Sequence, residues 1–132
     1  MLTLTSTQRD AVMATCIRAL PNEGCGLLLG TTEGIVTDVV ASDNVADSAK
    51  RYEIDSRVLL RATRKADDEG MTVMGVFHSH THSEAYPSAT DIELAPDPQW
   101  HYVLVSLRDL PTVMRSFHIE DGVVEEEPID VL

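Results

Sequence analysis

At 132 residues, 43% of them hydrophobic and 24% charged, the chain has enough apolar material for one globular core. Its apolar runs are too short for a membrane span, and its composition is not that of a disordered polymer. The formal charge of −12 repels phosphate backbones and argues against nucleic acid as a partner. Part of the acidic excess gathers at Glu120, Asp121, Glu125, Glu126, Glu127 and Asp130, which reads as a solvated face or salt-adapted composition ahead of a docking surface for a basic partner. Cys16 and Cys25 show no C-x-x-C spacing, and residues 1–10 carry neither a basic nor an apolar leader segment. The expectation is a cytoplasmic protein with reduced thiols that serve as small buried apolar groups.

In chain order, Ser6 or Thr7 is placed to cap a helix over residues 6–20. Met13, Cys16, Ile17 and Leu20 recur there at three- and four-residue spacing, and Pro21 ends it. The turn-forming residues 21–26 lead into an apolar run at 27–29. A second turn at 32–34 and a β-branched run at 35–41 predict a hairpin. Residues 42–50 are polar and predict a loop, and residues 52–54 a short strand. Asp55 or Ser56 then caps a second helix to about Glu69, stopped by Gly70. Residues 71–77 are nearly all apolar, as a strand covered on both faces would be. A short helix over 88–94 ends at Pro96-Asp97-Pro98. A buried strand at 101–107 follows, and strands at 113–119 and 123–126 flank an Asp121-Gly122 turn. The fold class expected is mixed α/β: a mixed sheet with two longer helices and one short one, in a single domain spanning 1–132.

The strand at 71–77 delivers His78-Ser79-His80. Successive strand side chains point to opposite faces, so the two imidazoles share a face and Ser79 turns away. Asp91 can return a carboxylate to them if the chain turns through Tyr86-Pro87-Ser88 and starts a helix. Three ligands leave a fourth tetrahedral position for water, which distinguishes a catalytic zinc site from a structural one. Hydrolysis also needs a group that moves protons. Glu23, in a glycine-flanked turn at the mouth of an apolar strand, is the candidate. Ser88-Ala89-Thr90-Asp91 has the capping-box form as well, and an Asp91 committed to metal is not expected to cap the helix. His82 reads as a loop residue, and His101 and His118 as ordinary strand histidines. Cys25 reads as packing, and Tyr86 either packs its loop or flanks a substrate groove.

Together, the Glu23 segment and the pattern H-x-H, seven residues, S, two residues, D, at His78, His80, Ser88 and Asp91, resemble the JAMM (MPN-plus) metalloproteases. The resemblance implies that family's fold, a mixed sheet like that of cytidine deaminases. It implies Zn²⁺ on His78, His80 and Asp91, with Glu23 as general base and then general acid. Ser88 would hold the water or stabilise the oxyanion, and cleavage would fall at the C-terminal glycine of a ubiquitin-like protein. Thr81 stands where the usual pattern has proline. That departure and the runs at 101–106 and 121–128 look like the bacterial branch that frees cysteine from a ubiquitin-like sulfur-carrier protein with a C-terminal Gly-Gly tail. The alternative within the family is an isopeptidase that removes ubiquitin-like modifiers or processes a carrier precursor. A cupin-type metal oxygenase shares the spacing of His78, His80 and Glu84, but cupins are all-β barrels. A zinc deaminase would need H-x-E and P-C-x-x-C, which are absent. A binding module that had lost its metal would lack ligands, and none is missing.

Overall fold

The computed structural model describes residues 1–132. Its elements are β1 (Leu2–Leu4), α1 (Ser6–Ala19), β2 (Cys25–Gly30), β3 (Val36–Ser42), α2 (Ser56–Asp68), β4 (Thr72–His80), α3 (Ala89–Glu93), β5 (His101–Ser106), β6 (Val113–Glu120), β7 (Val123–Glu127) and β8 (Ile129–Val131). Six strands form one sheet in the order β3-β2-β4-β5-β6-β7, and β1 pairs with β8 in a second, two-stranded sheet. Within the larger sheet only β4 and β5 run parallel, so the sheet is mixed, as expected. No helix is long and apolar enough to cross a membrane.

Central strands buried on both faces read as continuous apolar runs, and the two faces separate by the two-residue period of a strand. Leu28, Phe77, Val103 and Val105 face α1, where they join Leu2, Leu4, Val12 and Cys16 in one core. Leu27, Leu29, Val76 and Leu104 face α2, where they join Ala62, Ala66, Phe117 and Ile119 in the other. The sheet is thus the middle layer, with a long helix on each side. His78 and His80 follow Val76 at even spacing and therefore lie on the α2 side.

Three expectations need correction. Helix α1 is capped by Thr5, not Ser6 or Thr7. Thr5 Oγ1 accepts from the Gln8 amide at 3.1 Å, and Gln8 Oε1 accepts from the Thr5 amide at 2.9 Å. A glutamine three residues on supplies this reciprocal bond. The buried stripe of α1 is Val12 and Cys16, while Ile17 and Leu20 are exposed. Residues 52–54 form no strand and make only an isolated bridge between Ile54 and Asn44. The reason is the Asn44 side chain, which takes over the backbone partners a ladder would use. Its Nδ2 donates to the carbonyls of Glu23 (3.0 Å), Ser48 (3.3 Å) and Arg51 (3.0 Å), and its Oδ1 accepts from the amides of Ala46 and Glu53 at 3.0 Å. Elsewhere the local chemistry acts as read. Asp55 caps α2, Gly70 leaves it at φ +68°, and Asp121-Gly122 turns the β6–β7 hairpin at φ 51° and 77°. Strands β1 and β8, three residues each, carried no signal strong enough to be expected.

Candidate metal centre

Strand β4 lies between β2 and β5 and ends at the two histidines. On its β2 side the pairing Cys25↔His78 is continued by Ser79. The Ser79 amide donates to the Gly24 carbonyl at 3.0 Å, and the Gly24 amide donates to Ser79 Oγ at 2.8 Å. Continuing that register sets Glu23 across from His80. The Glu23 turn is itself clamped, its amide donating to the Ser48 carbonyl at 2.9 Å and its carbonyl accepting from Asn44. Space is tight there: a Cβ on Gly24 would stand 2.6 Å from Cys16 Cα. Glycine is therefore required where the turn passes under α1.

His78, His80 and Asp91 converge. His78 Nε2 and His80 Nε2 lie 3.1 and 3.0 Å from the same oxygen, Asp91 Oδ2. His80 Nδ1 donates to the Glu84 carbonyl at 2.8 Å, which leaves Nε2 of the neutral ring with a bare lone pair. The His78 ring stacks on Tyr52, centroids 4.1 Å apart and planes at 20°, and its Nδ1 is buried without a partner. Asp91 Oδ2 also accepts from the Ser88 amide at 2.9 Å, and Ser88 Oγ accepts from the Asp91 amide at 3.1 Å. The capping box is therefore formed by the carboxylate that meets the histidines. The expected conflict between capping and ligation does not arise, because a carboxylate has lone pairs for both.

These residues fit a metal ion. Ligands ~2.0–2.1 Å from a tetrahedral zinc sit ~3.3 Å from one another, close to the spacing of the imidazole nitrogens from the carboxylate oxygen. An imidazole lone pair facing a carboxylate in a buried site also repels it unless a positive species lies between. Without an ion, the three groups tune one another directly. Burial pushes the His78 imidazole down, against the pull of Asp91. Burial pulls His80 down too, but its contacts with Asp91 and Glu84 prevail and hold it above its ordinary value. Burial would raise the Asp91 carboxyl, yet His78 and His80 outweigh it and hold it well below the usual carboxylate range.

Glu23 is 3% exposed, and its Oε1 has no hydrogen-bond partner. Burial raises its carboxyl to about 7, with His80 pulling it down and Asp91 pushing it further up. A carboxylate that gains and loses its proton near neutrality, across from His80, has the properties of a general acid–base.

The structure thus brings Glu23, His78, His80, Ser88 and Asp91 to one end of the sheet and leaves the other candidates outside. His82 is exposed, its Nδ1 2.8 Å from Thr81 Oγ1. Cys25 is buried, with its thiol pushed up to about 12 by burial and directed at the Ser42 and Asp43 carbonyls. Tyr86 sets its ring edge-on to Phe117, centroids 5.5 Å apart, under the Arg115 guanidinium. Glu84 offers its carbonyl, not its carboxylate, and the sheet is open with helices on both faces, so the cupin arrangement is absent. Sequence reasoning missed Tyr52, Ser79 and Asn44. Ser79 alone carried a signal, as a hydroxyl on the opposite face of an H-x-H strand. His101 and His118, read as ordinary strand histidines, meet at Glu127. A cavity of about 230 Å³ adjoins Asp91, walled by Leu27, Tyr52, Ile54, Leu59 and Trp100.

The family model described as prokaryotic homologs of the JAB domain matches residues 5–120. A Mycobacterium tuberculosis protein named CysO-cysteine peptidase is 39% identical, over 93% of this chain and 86% of that protein. A Haloferax volcanii protein named desampylase is 31% identical, over 80% of each. A Desulfitobacterium hafniense protein solved in solution superposes with a TM-score of 0.92 at 38% identity, covering 100% of this chain and 93% of that one.

Proposed function

Since this chain belongs to the prokaryotic JAB-domain family, the JAMM/MPN class of hydrolases, we propose that residues 1–132 form one catalytic domain. It hydrolyses the amide bond after the C-terminal glycine of a ubiquitin-like sulfur-carrier protein and releases cysteine. The observation that carries this reading is the meeting of two imidazoles and a carboxylate opposite a buried glutamate that titrates near 7.

We assign Zn²⁺ to His78, His80 and Asp91. When bound, zinc makes hydroxide available at neutral pH by lowering the pKa of its water to about 7, and it polarises a carbonyl. The rest of the chemistry falls to the chain. Glu23 takes the proton of the attacking water and passes it to the amine nitrogen of the departing cysteine. The hydroxyl remains on the glycyl carbonyl carbon as the C–N bond breaks, and Glu23 ends as it began. Such a relay contributes typically ~10²- to 10⁴-fold. Ser88 Oγ uses a lone pair to cap α3 and keeps its O–H free to donate to the developing oxyanion, an interaction worth ~3 kcal/mol. Residues 51–54, outside the sheet, line the apolar cavity beside Asp91. They suit a glycine-rich tail that adds as a strand.

Mass spectrometry of a carrier bearing a C-terminal cysteine, before and after incubation, tests the reading. Loss of the cysteine mass is expected. An intact adduct beside cleaved isopeptide-linked conjugates would instead establish the second reading, removal of a ubiquitin-like modifier, which the relative named desampylase favours.

A further inference from the structure

A second set of ligating side chains meets at the opposite end and on the opposite face of the sheet. His101 opens β5, His118 lies on β6 and Glu127 closes β7, with ligand atoms within 4.8 Å of one another. His101 stands opposite Gly75 of β4 and Ser106 opposite His80. At ~3.3 Å per residue, the set is on the order of 16 Å along the strand from the catalytic end. It shares the α1 side with Val103 and Val105, whereas His78 and His80 face α2. The two sets have no residue in common.

Their internal arrangement is related, though His101 touches its carboxylate directly and would have to draw back to admit an ion. Glu127 Oε2 lies between two imidazoles, 2.5 Å from His101 Nδ1 and 3.3 Å from His118 Nε2, and it accepts from Ser116 Oγ at 2.8 Å. His118 Nδ1 donates to the Trp100 carbonyl at 3.1 Å, so the neutral ring turns a bare Nε2 towards the carboxylate. His80 does the same with Glu84 and Asp91. A carbonyl that fixes the far ring nitrogen is the usual support of a ligating histidine. Glu127 Oε1 is buried and faces the Met1 amino group at 3.0 Å. The cluster opens onto a cavity of about 480 Å³ whose wall carries Glu33 and Asp97, an acidic approach for a cation.

We propose that His101, His118 and Glu127 form a second site for a divalent transition metal of the zinc class. Two imidazoles and one carboxylate suit such ions and leave a position for water. The ion would tie β5, β6 and β7 together at the edge of the sheet. Its role would be to hold the three strands and the Met1 end together, with water in the remaining position. The competing arrangement is one in which protons and the Met1 amino group alone balance Glu127.

Metal titration of the chelator-stripped full chain distinguishes them, read as Zn²⁺ bound per chain and as melting temperature. Two equivalents are expected for the unaltered chain, and one for a chain carrying His80→Ala and Asp91→Asn. That double variant should also gain melting temperature with zinc. His118→Ala and the size-conserving His118→Gln, each checked for folding by circular dichroism, should bind one. Zero equivalents for the double variant would overturn the second site. An unchanged count of two in both folded His118 variants would overturn it as well. A double variant that kept both ions would instead count against the catalytic ligand set.

Discussion

Asp91 and Ser88 each do two things at once. Oδ2 of Asp91 accepts the Ser88 amide while facing both imidazoles, and Ser88 Oγ accepts the Asp91 amide while keeping its proton. Ser88→Ala removes the cap and the oxyanion donor together. Thermal unfolding should show a loss of ~1 kcal/mol, and kcat should fall by roughly 10²- to 10³-fold. Stability and rate read the two roles separately. Glu23 carries the opposite balance. Its carboxyl ordinarily titrates near 4.5 and is raised to about 7 in the fold. Folding is therefore most favoured below 4.5, where both states are protonated, and that advantage is lost as pH rises through 7. In metal-free protein, Glu23→Gln should raise stability at pH 8 by on the order of 2–3 kcal/mol. The gain should vanish below pH 4.5, and in zinc-loaded protein the same substitution should abolish turnover. Equal stability of the two proteins at pH 8 would show that Glu23 ionises without strain.

At the scale of elements, the site depends on how closely β2 approaches α1. Gly24→Ala places a methyl 2.6 Å from Cys16 Cα and 3.2 Å from Ala19 Cβ, both on one rigid helix. Overpacking of this kind costs ~1–3 kcal/mol. Because Glu23 precedes it, the displaced turn should also lower kcat by at least ~10-fold, since small misplacements of reacting groups are costly. Parallel stability and rate measurements on Gly24→Ala check this. Most elements were legible because their signals are local: Asp55 and Gly70 bound α2, Asp121-Gly122 fixes a hairpin, and apolar runs mark β4 and β5. The spacing from His78 to Asp91 made the convergence of His78, His80 and Asp91 legible too. What was hidden depends on distant partners. Asn44 replaces a strand at 52–54 with side-chain bonds, Thr5 wins the cap through Gln8, and β1 pairs with β8 across nearly the whole chain.

For the molecule as a whole, the sheet is a two-sided plate with a polar cluster at each end. One belongs to the catalytic centre, and the other gathers β5, β6, β7 and Met1 around Glu127. Burial would raise the Glu127 carboxyl, but His101, Ser116 and the Met1 amino group outweigh it and bring it to about 2. An ordinary glutamate titrates near 4.5. The stability this gives is present above that value and lost as pH falls towards 2. Glu127→Gln should cost on the order of 2–3 kcal/mol at pH 7. It should also flatten the decline in melting temperature between pH 5 and 2.5, compared in metal-free proteins.

The Asn44 side chain links parts of the molecule that a reader of the strands would treat as separate. One amide group holds the carbonyl of Glu23 together with Arg51 and Glu53, which border the cavity beside Asp91. The wall of that cavity and the turn that carries Glu23 are in effect one mechanical part. Hydrogen exchange of the Ala46 and Glu53 amides, both bonded to Asn44 Oδ1, therefore reports on the integrity of the catalytic turn. A tail that seats against residues 51–54 should slow exchange at Ala46 as well, an amide outside the segment it covers.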